Sequence, residues 1–186
     1  DKQRILKIFE EKIKNCTKCE LHKSRTKFVF GSGNPYARIV IVGEAPGFEE
    51  DKKGEPFVGK AGKLLTSILE EIGIDRNKDV FITNVVKCRP LNNRDPKEVE
   101  ILTCKPYLDF QIKIISPTLI VALGRFSAGL LSSRPPERAL QNRGKIIESI
   151  YKIPLLITYH PAAALRNPNL TPIIKSDLEK IKEFLK

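Results

Sequence analysis

Arg38-Ile39-Val40-Ile41-Val42-Gly43-Glu44-Ala45-Pro46-Gly47 is the stretch on which the fold turns. Four consecutive β-branched apolar residues are too few for a helix and apolar on both faces, the pattern of a strand buried within a parallel sheet. A loop follows at once. Ligand crevices open at the carboxyl ends of such strands, and Gly43, Ala45 and Gly47 would let a ligand lie against the backbone while Glu44 supplies charge. Taken alone, the segment suits a tight strand-to-loop turn with a solvated glutamate equally well. The recurrence of polar loops after later strands favours a site.

Those later strands are residues 80–82, leading into Thr83-Asn84, residues 118–122, leading into Gly124, and residues 155–158, leading into Tyr159-His160-Pro161. Helical patterns lie between them. Residues 4–14 carry Ile5, Ile8, Phe9 and Ile13 at helical spacing, and the segment from Gly59 carries Leu64, Leu65, Ile68, Leu69 and Ile72 up to Gly73. Asp95-Pro96-Lys97-Glu98 reads as a helix start with a capping aspartate and proline at the first position, running to about residue 115. A short helix follows Gly124, and Thr171-Pro172 opens a terminal amphipathic one. Residues 48–56 read as acidic and mobile, and residues 162–166 as a small-residue loop. Alternating strands and helices predict an α/β three-layer sandwich: a four-stranded parallel sheet flanked by helices, in one domain spanning residues 1–186. Gly62-Lys63 is not a nucleotide-binding loop. Leu64 stands where Ser or Thr would hold magnesium, and Phe57 stands where the first glycine is required.

With 186 residues, 41% hydrophobic and 30% charged, the chain can bury one substantial core. Thirty-three Lys and Arg against twenty-two Asp and Glu leave a net charge of +11, which points to a polyanionic partner, nucleic acid first. The abundance of charge also suits a thermophile. No secretory segment and no bilayer-length apolar run stands out, so a cytoplasmic, nucleoid-associated location with reduced cysteines is expected.

Four cysteines are present: Cys16 and Cys19 in a CxxC, and Cys88 and Cys104 far along the chain. Reduced thiols so arranged suit a four-thiolate metal site, zinc or iron-sulfur, and the absence of a second CxxC favours a cubane cluster. The alternative is four unrelated buried thiols. Of the two histidines, His22 reads as surface, whereas His160 ends the fourth strand at the same sheet edge as Glu44 and Asn84, held extended by Pro161.

Four segments together resemble the motif set of family-four uracil-DNA glycosylases, the iron-sulfur type typical of thermophiles. They are Gly43-Glu44-Ala45-Pro46-Gly47, Glu55-Pro56-Phe57-Val58-Gly59-Lys60-Ala61-Gly62, Thr83-Asn84-Val85-Val86-Lys87-Cys88-Arg89-Pro90 and His160-Pro161-Ala162-Ala163-Ala164-Leu165-Arg166. The resemblance runs from Cys16 to Arg166. It implies a [4Fe-4S] cluster on Cys16, Cys19, Cys88 and Cys104, and excision of uracil from single- or double-stranded DNA to leave an abasic site. A monomer is expected, with a sliding clamp as a further candidate partner.

The same resemblance implies roles for single residues. Phe57 would stack on the extruded base, and Asn84, with one amide donor and one acceptor, would pair with uracil O4 and N3–H. His160 would donate to O2 as charge builds there, aided by backbone N–H groups around Gly43, Glu44 and Ala45. Ala45 stands where better-known relatives carry a water-activating aspartate, which leaves Glu44 and Glu50 as candidates to position water or offset the sugar cation. Gly47 stands where those relatives use a tyrosine against the thymine methyl, so that barrier must come from elsewhere, with Glu50 a candidate. Lys60, Lys63 and Arg166 would meet phosphates, and Leu165 or a neighbouring alanine would fill the gap left by the flipped base. Two rival classes share part of this pattern, a non-catalytic nucleic-acid-binding protein with a structural metal and an iron-sulfur electron carrier, and neither needs Phe57, Asn84 and His160 together. A mismatch glycosylase that also accepts thymine is the near neighbour among enzymes.

Overall fold

A computed structural model describes residues 1–186. In chain order the elements are α1 (Lys2–Ile13), β1 (Ser32–Gly33), β2 (Ile39–Gly43), α2 (Phe48–Lys53), α3 (Lys60–Glu71), β3 (Val80–Asn84), α4 (Glu98–Ile115), β4 (Leu119–Leu123), α5 (Arg125–Ser132), α6 (Pro136–Ala139), β5 (Ile146–Glu148), β6 (Pro154–Thr158), α7 (Pro161–Arg166) and α8 (Thr171–Leu178). They form one six-stranded sheet in the order β1-β3-β2-β4-β6-β5. The four central strands are parallel, as the apolar runs predict, and β1 and β5 add a short antiparallel strand at each edge.

Strand alternation divides the core into two layers. Val40, Val42, Ile120, Ala122, Leu155 and Ile157 face α1, α4 and α5, while Ile39, Ile41, Leu119, Val121 and Leu156 face α3 and α8. Every residue of β2 and β4 is buried. Burial of each such Ile or Val contributes about 1.5–3 kcal/mol, so the sheet centre is a main source of the fold's stability. No helix is long and apolar enough to cross a membrane.

Several local expectations are corrected. Residues 48–53, expected to be mobile, form α2: acidic residues occupy its first turn, where the helix dipole favours them, and Gly54 closes it in the left-handed region at φ 78°. Asp51 is buried there and accepts from the Thr26 and Lys27 amides at 2.7 and 3.2 Å. Helix α4 starts after Lys97 rather than Asp95, because Glu100 reaches back to the Lys97 amide at 2.8 Å. Asp95 is drawn away to pair with Arg125 at 2.8 Å. Residues 162–166 are helical rather than a loop, since Pro161 at the first position and the His160 ring as cap start α7. The terminal helix begins at Thr171 with no side-chain cap, Leu170 standing at the N-cap position, and passes into a tighter helical segment at Glu179–Phe184.

Candidate active site

The carboxyl ends of β2, β3, β4 and β6 open onto a cleft of about 740 Å³. Glu44 follows β2, Asn84 ends β3, Gly124 follows β4 and His160 follows β6, and all four line it together with Phe57. Parallel pairing sets Gly43 beside Asn84. A β-carbon on Gly43 would stand 2.4 Å from Phe57 Cζ and 2.5 Å from Asn84 Oδ1, so only glycine lets the ring and the amide meet there. The Phe57 and His160 rings stack with centroids 5.5 Å apart and planes 29° apart. Three residues distant in sequence thus converge at one rim.

Phe57 is held in an unusual way. Its φ of 52° lies in the left-handed region, costly for a bulky side chain and a mark of a conformation imposed by its surroundings. Arg76 imposes part of it, donating to the carbonyls of Pro56 and Phe57 at 2.8 and 2.7 Å. Gly62 gives the backbone room, since a β-carbon there would meet the Phe57 carbonyl carbon at 2.0 Å. Glu50 supplies the third restraint: one carboxylate oxygen accepts from the Val58 and Gly59 amides at 2.8 and 2.6 Å, the other from the Gly47 amide at 3.0 Å. Both oxygens are engaged with backbone, so Glu50 ties the loop after β2 to the loop that carries Phe57.

Asn84 is 2% exposed, and its Oδ1 has no hydrogen-bond partner. Such an orphaned acceptor is costly and calls for a ligand donor. Beneath it Lys87, fully buried, donates from Nζ to the Asn84 carbonyl at 2.7 Å, Thr83 Oγ1 at 2.6 Å and Gln111 Oε1 at 2.8 Å. Burial pushes the Lys87 pKa down to about 8. The sequence assigns no role to Lys87, although it lies within the Thr83–Pro90 segment, or to Arg76, which lies in none of the four segments.

The His160 ring is oriented by its own helix: Nδ1 accepts the Ala162 amide at 3.0 Å. In the neutral ring the proton therefore sits on Nε2, which is left free to donate. Burial, with the charge of Arg166 added, pushes its pKa down to about 4 against a small opposing effect of Glu50, so the ring is neutral at pH 7. Glu44 goes the other way. Burial raises its pKa to about 7 despite the opposing charge of Arg125, and Asp95 adds to the rise. A β-carbon on Gly124 would lie 3.1 Å from His160 Cβ and 3.3 Å from the Glu44 carboxyl carbon, so the two groups share one wall of the cleft. Lys60 and Lys63 are exposed in the first turn of α3, and Leu165 and Arg166 are exposed at the end of α7.

The cysteines require a correction. Cys16, Cys19, Cys88 and Cys104 line one small cavity, yet no group of three or more His, Cys, Asp or Glu side chains is placed to hold a metal ion. This overturns the [4Fe-4S] cluster and the metal-binding role expected of them. Their sulfurs answer to protein neighbours instead: Tyr107 Oη donates to Cys16 Sγ at 3.0 Å and Arg25 Nη1 to Cys88 Sγ at 3.4 Å. Burial raises the pKa values of Cys19, Cys88 and Cys104, the second to about 11.

Comparison with known proteins agrees with the cleft. Residues 30–186 match the model of the uracil DNA glycosylase superfamily. The chain is 53% identical over 186 residues to the type-4 uracil-DNA glycosylase of Sulfurisphaera tokodaii, covering 96% of this chain and 84% of that one. It is 49% identical to the type-4 enzyme of Archaeoglobus fulgidus, with 92% and 89% covered, and 46% identical to that of Thermotoga maritima, with 100% and 97% covered. Matching that family model over residues 30–186 and these type-4 enzymes at 46–53% identity over 92–100% of its length, the chain belongs to the uracil-DNA glycosylase superfamily and, within it, to the type-4 enzymes.

Proposed function

We propose that this uracil-DNA glycosylase reads and releases its base through Asn84, Phe57 and His160, with Glu44 acting on the sugar side. The observation that carries the reading is the orphaned Oδ1 of Asn84, a buried acceptor without a partner on a residue that lines the cleft. Uracil offers it the N3–H donor, and its O4 accepts from the Asn84 amide. Cytosine presents the reverse pattern and would leave buried groups unpaired, at about 1–3 kcal/mol each. Phe57 stacks on the base plane, with Gly43 giving the ring room.

Cleavage breaks the bond between C1′ and N1. The bonding electrons leave with the base, negative charge spreads to O2, and the sugar becomes an oxocarbenium-like cation. His160 Nε2–H donates to O2 as that charge develops; a neutral imidazole with its other nitrogen already engaged serves as a fixed dipole rather than a proton source. Backbone N–H groups of Glu44 and Ala45 add to it. The ionised Glu44 offsets the sugar cation and orients the water that adds to C1′ and gives up a proton to solvent; uracilate takes a proton from solvent after release, so the two transfers balance. Glu50 acts as a positioning residue through its three amide contacts. Lys60, Lys63 and Arg166 meet phosphates, and Leu165 fills the vacated stack, so binding weakens steeply as salt rises.

Residues 1–186 act as one domain, and one chain carries every group in this scheme, so a monomer suffices. The enzyme works in the cytoplasm, on the nucleoid. The test is release of uracil from duplexes carrying U opposite G, U opposite A and T opposite G: abasic product from the first two and none from the third is expected, and intact strands throughout would refute it.

Glu44→Gln is expected to slow single-turnover excision by about tenfold or more while duplex affinity is retained. Because the Glu44 pKa lies at about 7 and its carboxylate is the active form, the native rate should rise through pH 7. The glutamine variant should show no inflection there. Unchanged rates and an unchanged profile would remove Glu44 from the reaction.

A further inference from the structure

The rim of the cleft between Arg89 and Asp95 carries a feature that the scheme above does not use. Leu91 is 64% exposed, among the most exposed large apolar residues of the chain. The two residues after it, Asn92 and Asn93, both lie in the left-handed region, at φ 54° and 56°. Asparagine tolerates that conformation best among residues with side chains, but two in succession mark a turn held against its preference.

Polar contacts hold it. Ser24 Oγ donates to the Arg89 carbonyl at 2.8 Å, and Arg89 Nε donates to Asn93 Oδ1 at 2.7 Å, closing the turn on itself. Arg94 grips Glu100 with both terminal nitrogens at 2.9 and 2.8 Å. Asp95 is fastened to Arg125 at 2.8 Å. These restraints do not bury Leu91; they present it to solvent. Phe48, 57% exposed, lines the cleft, with the Arg89 guanidinium 5.3 Å from its ring centroid.

The placement gives this turn a partner. It leads into α4, in one helical layer, whereas Leu165, 48% exposed, sits on α7, which packs against α3 in the other layer. Asn93 and Arg94 line the cleft, as do Ala163 and Arg166. A duplex whose uracil has entered the cleft has a gap in its base stack at the cleft mouth, where an apolar side chain replaces lost stacking. We infer that Leu91 is a second wedge: it covers the base stack of the duplex beside the extruded uracil from the α4 side, while Leu165 enters from the α7 side. Arg89 and the excess of positive charge suit the surrounding phosphates. The inference rests on the uracil-excision reading of the cleft.

The experiment compares single-turnover excision of uracil from a duplex and from the same strand unpaired, for the native enzyme, Leu91→Ala and Leu91→Met. An unpaired strand has no stack to hold open, so a wedge acts on the ratio of the two rates. Leu91→Ala is expected to lower the duplex-to-single-strand ratio about fivefold or more, with Leu91→Met restoring it to within about twofold of native. A smaller fall, including equal slowing on both substrates, overturns the inference, as does failure of methionine to restore the ratio. If the native enzyme released no uracil from either strand, the reading of the cleft would fail instead, so the two failures are distinguishable.

Discussion

Asn84→Leu is expected to slow single-turnover excision of uracil about 100-fold or more while leaving the melting temperature unchanged or raised. The two halves of this result have one cause. In the free enzyme Asn84 Oδ1 is buried without a partner, so it stabilises nothing, and replacing it with an apolar group of similar volume removes an unsatisfied polar atom. In the complex the same change leaves uracil N3–H and O4 unpaired, at about 1–3 kcal/mol each, or together roughly 2–6 kcal/mol of lost recognition. Thermal denaturation alongside single-turnover kinetics checks both. A variant that loses stability and activity together would make Asn84 a structural residue and would withdraw the reading of the cleft.

His160→Ala should lower the excision rate by about 100- to 1000-fold, the range for removing one donor aimed at a developing oxyanion. The pH dependence distinguishes a neutral donor from an acid. With its pKa pushed down to about 4 by burial, the ring loses its proton well below neutrality. The His160 contribution should therefore be flat from about pH 6 to 8, and the only inflection in that range should come from Glu44. Stability carries a second signature. Between the ordinary value of 6.5 and about 4 the unfolded chain holds a proton on this ring and the native one does not. Stability from this group is thus complete above pH 6.5 and is lost as pH falls towards 4. Melting temperatures should fall less steeply through that window in the alanine variant than in the native protein. A rate that fell with deprotonation of a group near 6.5 would instead make His160 a proton donor.

The sheet centre was legible because strands buried on both faces must be continuously apolar, as 39–42, 119–123 and 155–157 are. The edge strands were not. Ser32 and Gly33 are too few for any period, and Ile146–Glu148 is half exposed; each pairs because a neighbouring strand already offers an unpaired edge. Helix α2 was hidden by its charge, since helical stability there comes from dipole, caps and the buried contacts of Asp51 rather than from an apolar face. The cysteines show the opposite error: spacing suggested a ligand set, but spacing says nothing about distances between side chains, and the fold brings no three potential ligands together to hold a metal ion.

The candidate site divides along the same line. Gly43, Glu44, Asn84 and His160 were placed at one edge by sequence alone, since each follows or ends an apolar strand and parallel strands all end on the same side. What the sequence could not supply is which polar groups already have partners. Glu50, a candidate to position water, is saturated by three amides, whereas Asn84 keeps an empty acceptor. The order of apolar and polar residues therefore determined the layers of this protein and the edge where its chemistry lies. Only the packed structure decided which side chains on that edge are free to act, because hydrogen-bond satisfaction and burial depend on neighbours tens of residues away along the chain.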